Sequence, residues 1–595
     1  MHKLLQGLNL LPGETVISYA DDICIKTNSS RRLQELLNQF GLSSLQCGLI
    51  ISTDKTKVLI HNQEERLTCN PFHIRNNEIA LCNSYKYLGI DTRLVHNTAD
   101  YFKDFKTKLQ KRLKPLKALV SKKIGVNINI AKTFYVLYIR SVIDYHALHL
   151  SNLTSHYLNQ LEVVQNDAMR LILGCSRATR IVNMRTELNL ISIHHRVKTL
   201  ITTMAVKCLK CPTSAPKFSL DLHTTLNSPP ELSRQLIAQI HIHYRSWFNQ
   251  VYCELIVFNT SFLANPPPNN IEPWKRIKAN IHSVPISTKD QLSPHQLKGE
   301  TLATVAKVMS NMPRDCRMAY TDGSLQISGR AGCGCEVFHD HQSVHTNSAR
   351  LNNWASITQC ELSGIQMALE YLTNNHYHGL IISDSQAALN SINCLKPECS
   401  VTVDHIQTLL ITASEINLVI QFLWIPSHIG LKCHDGVDKL AKEACLYPEV
   451  HSDLGLTSKA VRSVLLKDAS VELTELRDAE RPGSTSIKYF DRYYTNKHMY
   501  GKHKTMTRHC DVVTARIRMG YRHIWQVDRR QRSAFAKCKV CDAPDKHTLE
   551  HYIAECPLIS DFRPQGYRFH ELCNHFIETN ILEDILLLYP GFASP

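Results

Sequence analysis

Residues 317–324 read RMAYTDGS: a short run of strand-forming residues that ends on Asp322-Gly323. The stretches after it share one grammar. GRAGCGCEVFH (329–339) and QSVHTNSAR (342–350) read as two more strands, and TQCELSGIQMALEYL (358–372) as a helix with Leu362, Ile365, Leu369 and Leu372 on one face. HGLIISDS (378–385) is a strand of the fully buried type, with the helix QAALNSINCL behind it. INLVIQFLWIP (416–426) is a further strand, and VDKLAKEACL (437–446) a closing helix. Antiparallel strands followed by strand–helix alternation predict a mixed five-stranded sheet with helices on its faces, over residues 313–448.

Four acids punctuate this unit. Asp322 ends the first strand, Glu361 sits in the first turn of the first helix, Asp384 ends the fourth strand and Asp438 opens the last helix. Each has an ordinary structural explanation. Asp-Gly is a turn pair, Thr358 and Glu361 fit a capping box, Asp384 suits a cap, and Asp438 suits a helix N-terminus. In a mixed sheet, acids at strand ends and helix starts also converge on one edge.

In this order and context the unit resembles type 1 ribonuclease H. The matching segments are YTDGS with Asp322, QCELSGIQMAL with Glu361, ISDSQAAL with Asp384 and VDKLAKEA with Asp438. WIPSHIG matches the family's active-site loop and places His428 there. The chain departs from the pattern in KCHDGVD, with His434 and Asp435 where the family often has Asn and Glu. The resemblance implies Mg²⁺-dependent endonucleolytic cleavage of the RNA strand of an RNA–DNA hybrid. Two Mg²⁺ ions would be held by Asp322, Glu361, Asp384 and Asp438, and His428 would assist proton transfer or product release.

A second acidic feature lies near the start. ISYADDICI (17–25) places Asp21 and Asp22 between two short strands, at the tip of a hairpin. Adjacent carboxylates repel by about 4 kcal/mol at 4 Å with an effective dielectric near 20; a cation removes that cost, and an acidic turn is the plainer explanation. NSSRRLQELLNQFGL (28–42) follows as a short helix that Ser29 or Ser30 can cap and Gly41 can end. GLIISTDKTKVLI and SYKYLGIDT alternate like strands. SYADD, then GLIISTDKTKV with Lys55, then YKYLGI, together resemble the palm of a non-LTR retrotransposon reverse transcriptase. LEVVQNDAMRLILG and TELNLISIHHR resemble the helical segment such elements carry next. This implies a partial α+β palm over 1–98, with Asp21 and Asp22 as residual polymerase metal ligands, and a helical thumb-like region over 99–211. A polymerase needs a further aspartate and template-gripping fingers upstream of this hairpin, so polymerisation by this chain alone is not expected.

YFKDFKTKLQKRLKPLKALVSKK (101–123) carries Phe105, Leu109, Leu113 and Leu116 on one side and a crowd of cations, Lys111 and Arg112 among them, on the other. It is either a solvated basic face or a grip on a nucleic-acid backbone. LNQLEVVQNDAMRLILG reads as an amphipathic helix ending at Gly174. Residues 212–312 read as a linker with short helices. The basic region 449–595 contains AKCKVCDAPDKHTLEHYIAECPL, in which Cys538, Cys541, His551 and Cys556 are spaced C-x2-C-x9-H-x4-C. Three thiolates and an imidazole suit tetrahedral Zn²⁺, His547 is a competing ligand, and similar clusters end many non-LTR elements. Upstream of it, ARIRMGYRHIWQVDRRQR interleaves Arg516, Arg518, Arg522, Arg529 and Arg530 with Tyr521 and Trp525. That mixture suits phosphate contact and base stacking, or a solvated helix.

At 595 residues with 43% hydrophobic content the chain is long enough for several cores, and its net charge of +15 favours a polyanionic partner. No apolar run is long enough to span a bilayer, and MHKLLQGLNLLPGE is too interrupted for a signal peptide. An intracellular protein is expected, nucleus or cytoplasm undecided, with its 21 cysteines reduced. The sequence reads as a multidomain α/β retrotransposon-derived chain that acts on RNA–DNA hybrid, RNA and DNA. The alternative is a catalytically inactive nucleic-acid-binding remnant.

Overall fold

The computed structural model describes all residues except 1–3, 6, 94–97, 121–124, 152, 211–215, 241, 257–274, 285–293, 395–400, 452–457, 494–499, 502–506, 521, 523–525, 527–535, 580 and 594–595. The chain divides into two compact units, Met1–Arg112 and Leu113–Pro595.

In the first unit, β1 (Thr15–Tyr19) and β2 (Asp22–Lys26) form the expected hairpin, with Tyr19 opposite Asp22 and Ala20 at φ 52° in the turn. α1 (Ser30–Gln46) starts at the Ser29 cap, which accepts from Arg32 N. It runs through Gly41 instead of ending there, because that glycine is buried in mid-helix against Ile74. β3 (Phe72–Ile74) pairs with β4 (Asn77–Ile79), and β5 (Ser84–Tyr87) with β6 (Ile90–Arg93). GLIISTDKTKVLI, expected as strand, contributes one isolated bridge, Val58 to Leu81. Leu37, Val58, Ile60, Phe72, Ile74 and Ile79 make the core. α2 (Thr98–Leu119) begins in this unit and ends in the next, with Phe105, Leu109 and Leu116 buried.

The second unit is built on a mixed sheet of six strands, one more than expected. β8 (Arg317–Leu325), β9 (Ala331–His339) and β10 (Gln342–Leu351) are antiparallel neighbours. β11 (Gly379–Ser383) and β12 (Ile420–Trp424) continue parallel to β8, and the order is β10-β9-β8-β11-β12-β7. The extra strand, β7 (Ile281–Ser283), lies in the stretch read as linker and pairs parallel with β12. α3 (Pro294–Ser310), from the same stretch, packs Val305 and Val308 against Leu380, Ile382 and Leu423. On the other face α4 (Ile357–Asn374), α5 (Gln386–Ile392) and α6 (Val401–Glu415) bury Leu362, Ile365, Leu369, Ile392 and Ile406. α6 fills a stretch the sequence reading left unassigned. α7 (Lys432–Ala444) packs on β8 and β9.

Outside the sheet, the helix Ser155–Leu173 ends at Gly174 (φ 63°) as expected. Its terminal carbonyls meet the helix Thr507–Met519: Arg508 donates to Leu171 O (2.9 Å) and Ile172 O, and Arg516 to Gly174 O (3.2 Å) and Ala593 O (2.7 Å). The two regions, far apart in sequence, are therefore joined by buried arginine-to-carbonyl hydrogen bonds.

Candidate active site and metal centres

Strand register sets the first two acids side by side. Thr321 pairs with Ser383 across the parallel β8–β11 ladder, and Asp322 and Asp384 are the next residue on each chain. Asp322 lies inside β8 rather than at its end, opposite Gly334 on β9, and its Oδ1 accepts from Gly323 N at 2.7 Å. The Asp384 main chain is fixed by Trp424, whose Nε1 donates to Asp384 O at 2.9 Å. Ser385, not Asp384, caps α5.

Glu361 arrives through a close helix–strand approach. A Cβ on Gly323 would lie 2.5 Å from Glu361 N and 2.7 Å from the Cys360 carbonyl carbon, so only glycine lets α4 press against β8 here. The capping box of α4 is Ser356 with Gln359, not Thr358 with Glu361. Glu361 therefore sits two residues, about half a turn, deeper than expected, where its carboxylate joins the acids of the sheet instead of capping the helix end. Oxygens of Asp322, Glu361 and Asp384 all lie within 4.8 Å of one another.

These carboxyls repel and are shielded from water. Burial, then the Asp384 charge, pushes Asp322 up to about 7. Burial, then Asp322 and Asp384, pushes Glu361 up to about 9. Among the described residues Glu361 Oε2 is buried without a hydrogen-bond partner. Three converging carboxyls, one with an orphaned oxygen, fit a divalent cation that would displace their protons.

Asp438 is outside this set of three, although its charge still acts on Asp322. It is in the middle of α7, not at its start, and Lys442 Nζ donates to its Oδ2 at 2.6 Å. His428 is exposed, in the left-handed region (φ 55°), on the loop between β12 and α7. A residue the sequence reading noted only as a departure turns out to face the cluster. His434, one helical turn before Asp438, is 7% exposed, with Nε2 3.8 Å from Asp384 Oδ1. The i, i+4 spacing to Asp438 was the available signal.

The RNase H family model matches residues 315–446. Residues 315–446 are an RNase H domain. Solved structures similar to this chain include LC11-RNase H1, isolated from compost by a metagenomic approach (19% identity, 22% of this chain and 96% of that chain, TM-score 0.19). Another is a foamy viral protease-reverse transcriptase in complex with dsDNA (21% identity, 22% and 96%, TM-score 0.20). A third is the N-terminal RNase H domain of a Mycobacterium tuberculosis protein fused to maltose binding protein (18% identity, 22% and 98%, TM-score 0.18). No curated protein matches the chain. Within the RNase H domain, Asp322 inside β8, Asp384 just past β11 and Glu361 on α4 form the acidic centre.

The second cluster is outside the RNase H domain. Cys538, Cys541, His551 and Cys556 also offer ligand atoms within 4.8 Å of one another. Cys541 Sγ and His551 Nε2 are 3.2 Å apart, and the Val540 and Cys541 amides point at Cys538 Sγ at 3.4 Å. His547 is excluded from the set: its Nδ1 bonds Tyr552 Oη at 2.6 Å. This donor set fits Zn²⁺.

The remaining candidates divide. Asp21 and Asp22 are exposed at the hairpin tip, Lys55 is exposed in a loop, and Lys111 is exposed and Arg112 partly buried on α2. Arg516 and Arg518, expected to face nucleic acid, are 3% and 4% exposed instead. Arg518 grips Glu187 with both ends, 2.9 Å each, and Tyr500 Oη donates to the same carboxylate at 2.5 Å. Their charge is consumed inside the fold. Tyr521, Trp525, Arg529 and Arg530 lie outside the described residues. Among the described residues, no helix is long and apolar enough to cross a membrane.

Proposed function

We propose that the RNase H domain cleaves the RNA strand of RNA–DNA hybrids endonucleolytically with Mg²⁺, in a chain derived from a non-LTR retrotransposon. The observation that carries this reading is the convergence of Asp322, Glu361 and Asp384 on one sheet edge. These three, with Asp438 beside them on α7, would hold two Mg²⁺ ions. Bound there, Mg²⁺ supplies Lewis acidity, making water acidic enough to attack and neutralising charge on the phosphate. Asp322, central among the acids, orients both sides of the site. Gly323 N fixes one Asp322 oxygen, and Trp424 fixes the main chain of Asp384. His428, exposed on the loop between β12 and α7, would assist proton transfer or product release.

The rest of the chain supports a nucleic-acid partner by composition. The net charge is +15, and the cations of α2, including Lys111 and Arg112, suit backbone contact. Asp21, Asp22 and Lys55 belong to a reverse-transcriptase-like palm motif, with the two acids as its polymerase metal ligands. Cys538, Cys541, His551 and Cys556 would hold a Zn²⁺ that ties the tail together.

The second reading, hybrid binding without cleavage, draws on Asp438, whose carboxylate is engaged by Lys442. One experiment separates the two. The full chain is incubated with a labelled RNA–DNA hybrid and Mg²⁺, beside Asp322→Asn. Cleavage of the RNA strand alone, reduced on the order of a hundredfold or more in the variant, is the expected result. A parent chain that binds hybrid and leaves it intact establishes the second reading instead.

A further inference from the structure

His434 lies at the Asp384 end of the acidic cluster, outside the three converging carboxyls, and the proposed mechanism does not use it. It sits near the start of α7 with 7% of its surface exposed. Among the described residues its Nε2 is buried without a hydrogen-bond partner, as is Glu361 Oε2. A buried imidazole nitrogen left unpaired is costly, and an ion between it and the neighbouring carboxylate satisfies it. At 3.8 Å the Asp384 oxygen is too far to accept a hydrogen bond. The distance does suit two donors on one cation: ligands each about 2.1 Å from an ion stand about 3–4 Å apart.

From this we infer that His434 is a nitrogen ligand of the ion held by the carboxylate cluster, sharing it with Asp384. The inference rests on the metal-site reading above and extends it to the identity of the ion. Mg²⁺ is a hard cation that takes oxygen and keeps its waters. A site offering carboxylates plus one imidazole favours an ion that accepts nitrogen as well, and Mn²⁺ is the probe that combines both with a spectroscopic signal. The mixed donor set thus shifts the preference of this RNase H domain from Mg²⁺ toward Mn²⁺-type ions.

The test uses the untagged full chain with its zinc retained, freed of other divalent ions by dialysis, and titrated with Mn²⁺ alone. Paramagnetic resonance counts bound Mn²⁺, and electron spin echo detects ¹⁴N coupled to it. The expected result is ¹⁴N modulation in the parent that is lost in His434→Asn. That variant's preference for Mn²⁺ over Mg²⁺, read by competition, should fall by about tenfold. Mn²⁺ that binds the parent with no ¹⁴N modulation overturns the inference, without needing any variant to fold. Modulation that persists in folded His434→Asn overturns it too. Mn²⁺ binding that is unchanged in Asp322→Asn sinks the carboxylate site itself, which is a different failure.

Discussion

The two acids with the most displaced protonation, Asp322 and Glu361, give the site a pH dependence with a definite sign. Both carboxyls rise above their ordinary values near 4, to about 7 and about 9, because burial and neighbouring acids penalise the charged forms. The folded, divalent-free chain therefore holds protons that the unfolded chain releases. That contribution to stability is complete below pH 4 and is lost as pH rises through 7 and then 9. A cation reverses the balance by displacing those protons. Calorimetric titration with Mg²⁺ in buffers of different ionisation heat should show proton release at pH 7. Affinity should tighten from pH 6 to 9. In divalent-free buffer the thermal midpoint should fall over the same range. Mg²⁺ affinity that is flat with pH would mean the acids are already ionised and the cluster is wetter than its burial indicates.

Among the elements, the decisive contact is between β8 and α4, and it turns on Gly323. The atoms a Cβ would strike there, Glu361 N and the Cys360 carbonyl carbon, are backbone, so α4 has to retreat from the strand. Gly323→Ala should cost about 1–3 kcal/mol and carry Glu361 away from Asp322, reducing metal affinity as well as stability. Gly436→Ala on α7 is the control. Its Cβ would come only within 3.5 Å of Glu336 Oε2, and alanine in a helix interior is neutral to stabilising by up to about 1 kcal/mol. Chemical denaturation with Mn²⁺ binding on both variants checks this, and a tolerated Gly323→Ala would remove the glycine from the argument. The strands around this contact were legible because alternation and apolar runs are local properties of the sequence. The depth of Glu361 was not: two overlapping capping boxes, Ser356 with Gln359 and Thr358 with Glu361, fit the same residues, and only packing against β8 selects the first. The arginines of Thr507–Met519 misled for a related reason. A buried Arg518 and an exposed one look the same in sequence, and its partner Glu187 lies 331 residues away.

On the scale of the whole chain, the stretch read as linker is part of the sheet domain, and a physical account of why sets the last prediction. Residues 276–279 run beside the helices as an extended segment whose ladder partners are side chains. Gln407 Oε1 accepts from Ile277 N (3.0 Å) and its amide donates to Ile277 O (3.1 Å). Asn393 does the same for Ala279, at 2.8 and 3.1 Å. Arg276 closes the segment with a buried ion pair to Asp404, 2.5 Å, both side chains 5% exposed. Pattern reading misses such an arrangement, because proline-rich flanks announce a linker and the amides that bind the segment lie more than 100 residues downstream. The consequence is measurable in two fragments. A fragment of residues 313–448 has the matched family segment but breaks the buried Arg276–Asp404 ion pair, which costs about 3–5 kcal/mol. It also removes the backbone partners of the Gln407 and Asn393 amides, leaving Gln407 its bond to Ile392 O, and uncovers the apolar face that α3 protects, including Leu380 and Leu423. A fragment of residues 275–448 retains all of these partners. In urea the longer fragment should unfold cooperatively at a clearly higher midpoint, while the shorter one unfolds early or aggregates. Arg276→Ala in the longer fragment should fall between them. Equal midpoints for the two fragments would show that β7 and α3 merely rest on the sheet, and that 313 is a sufficient boundary.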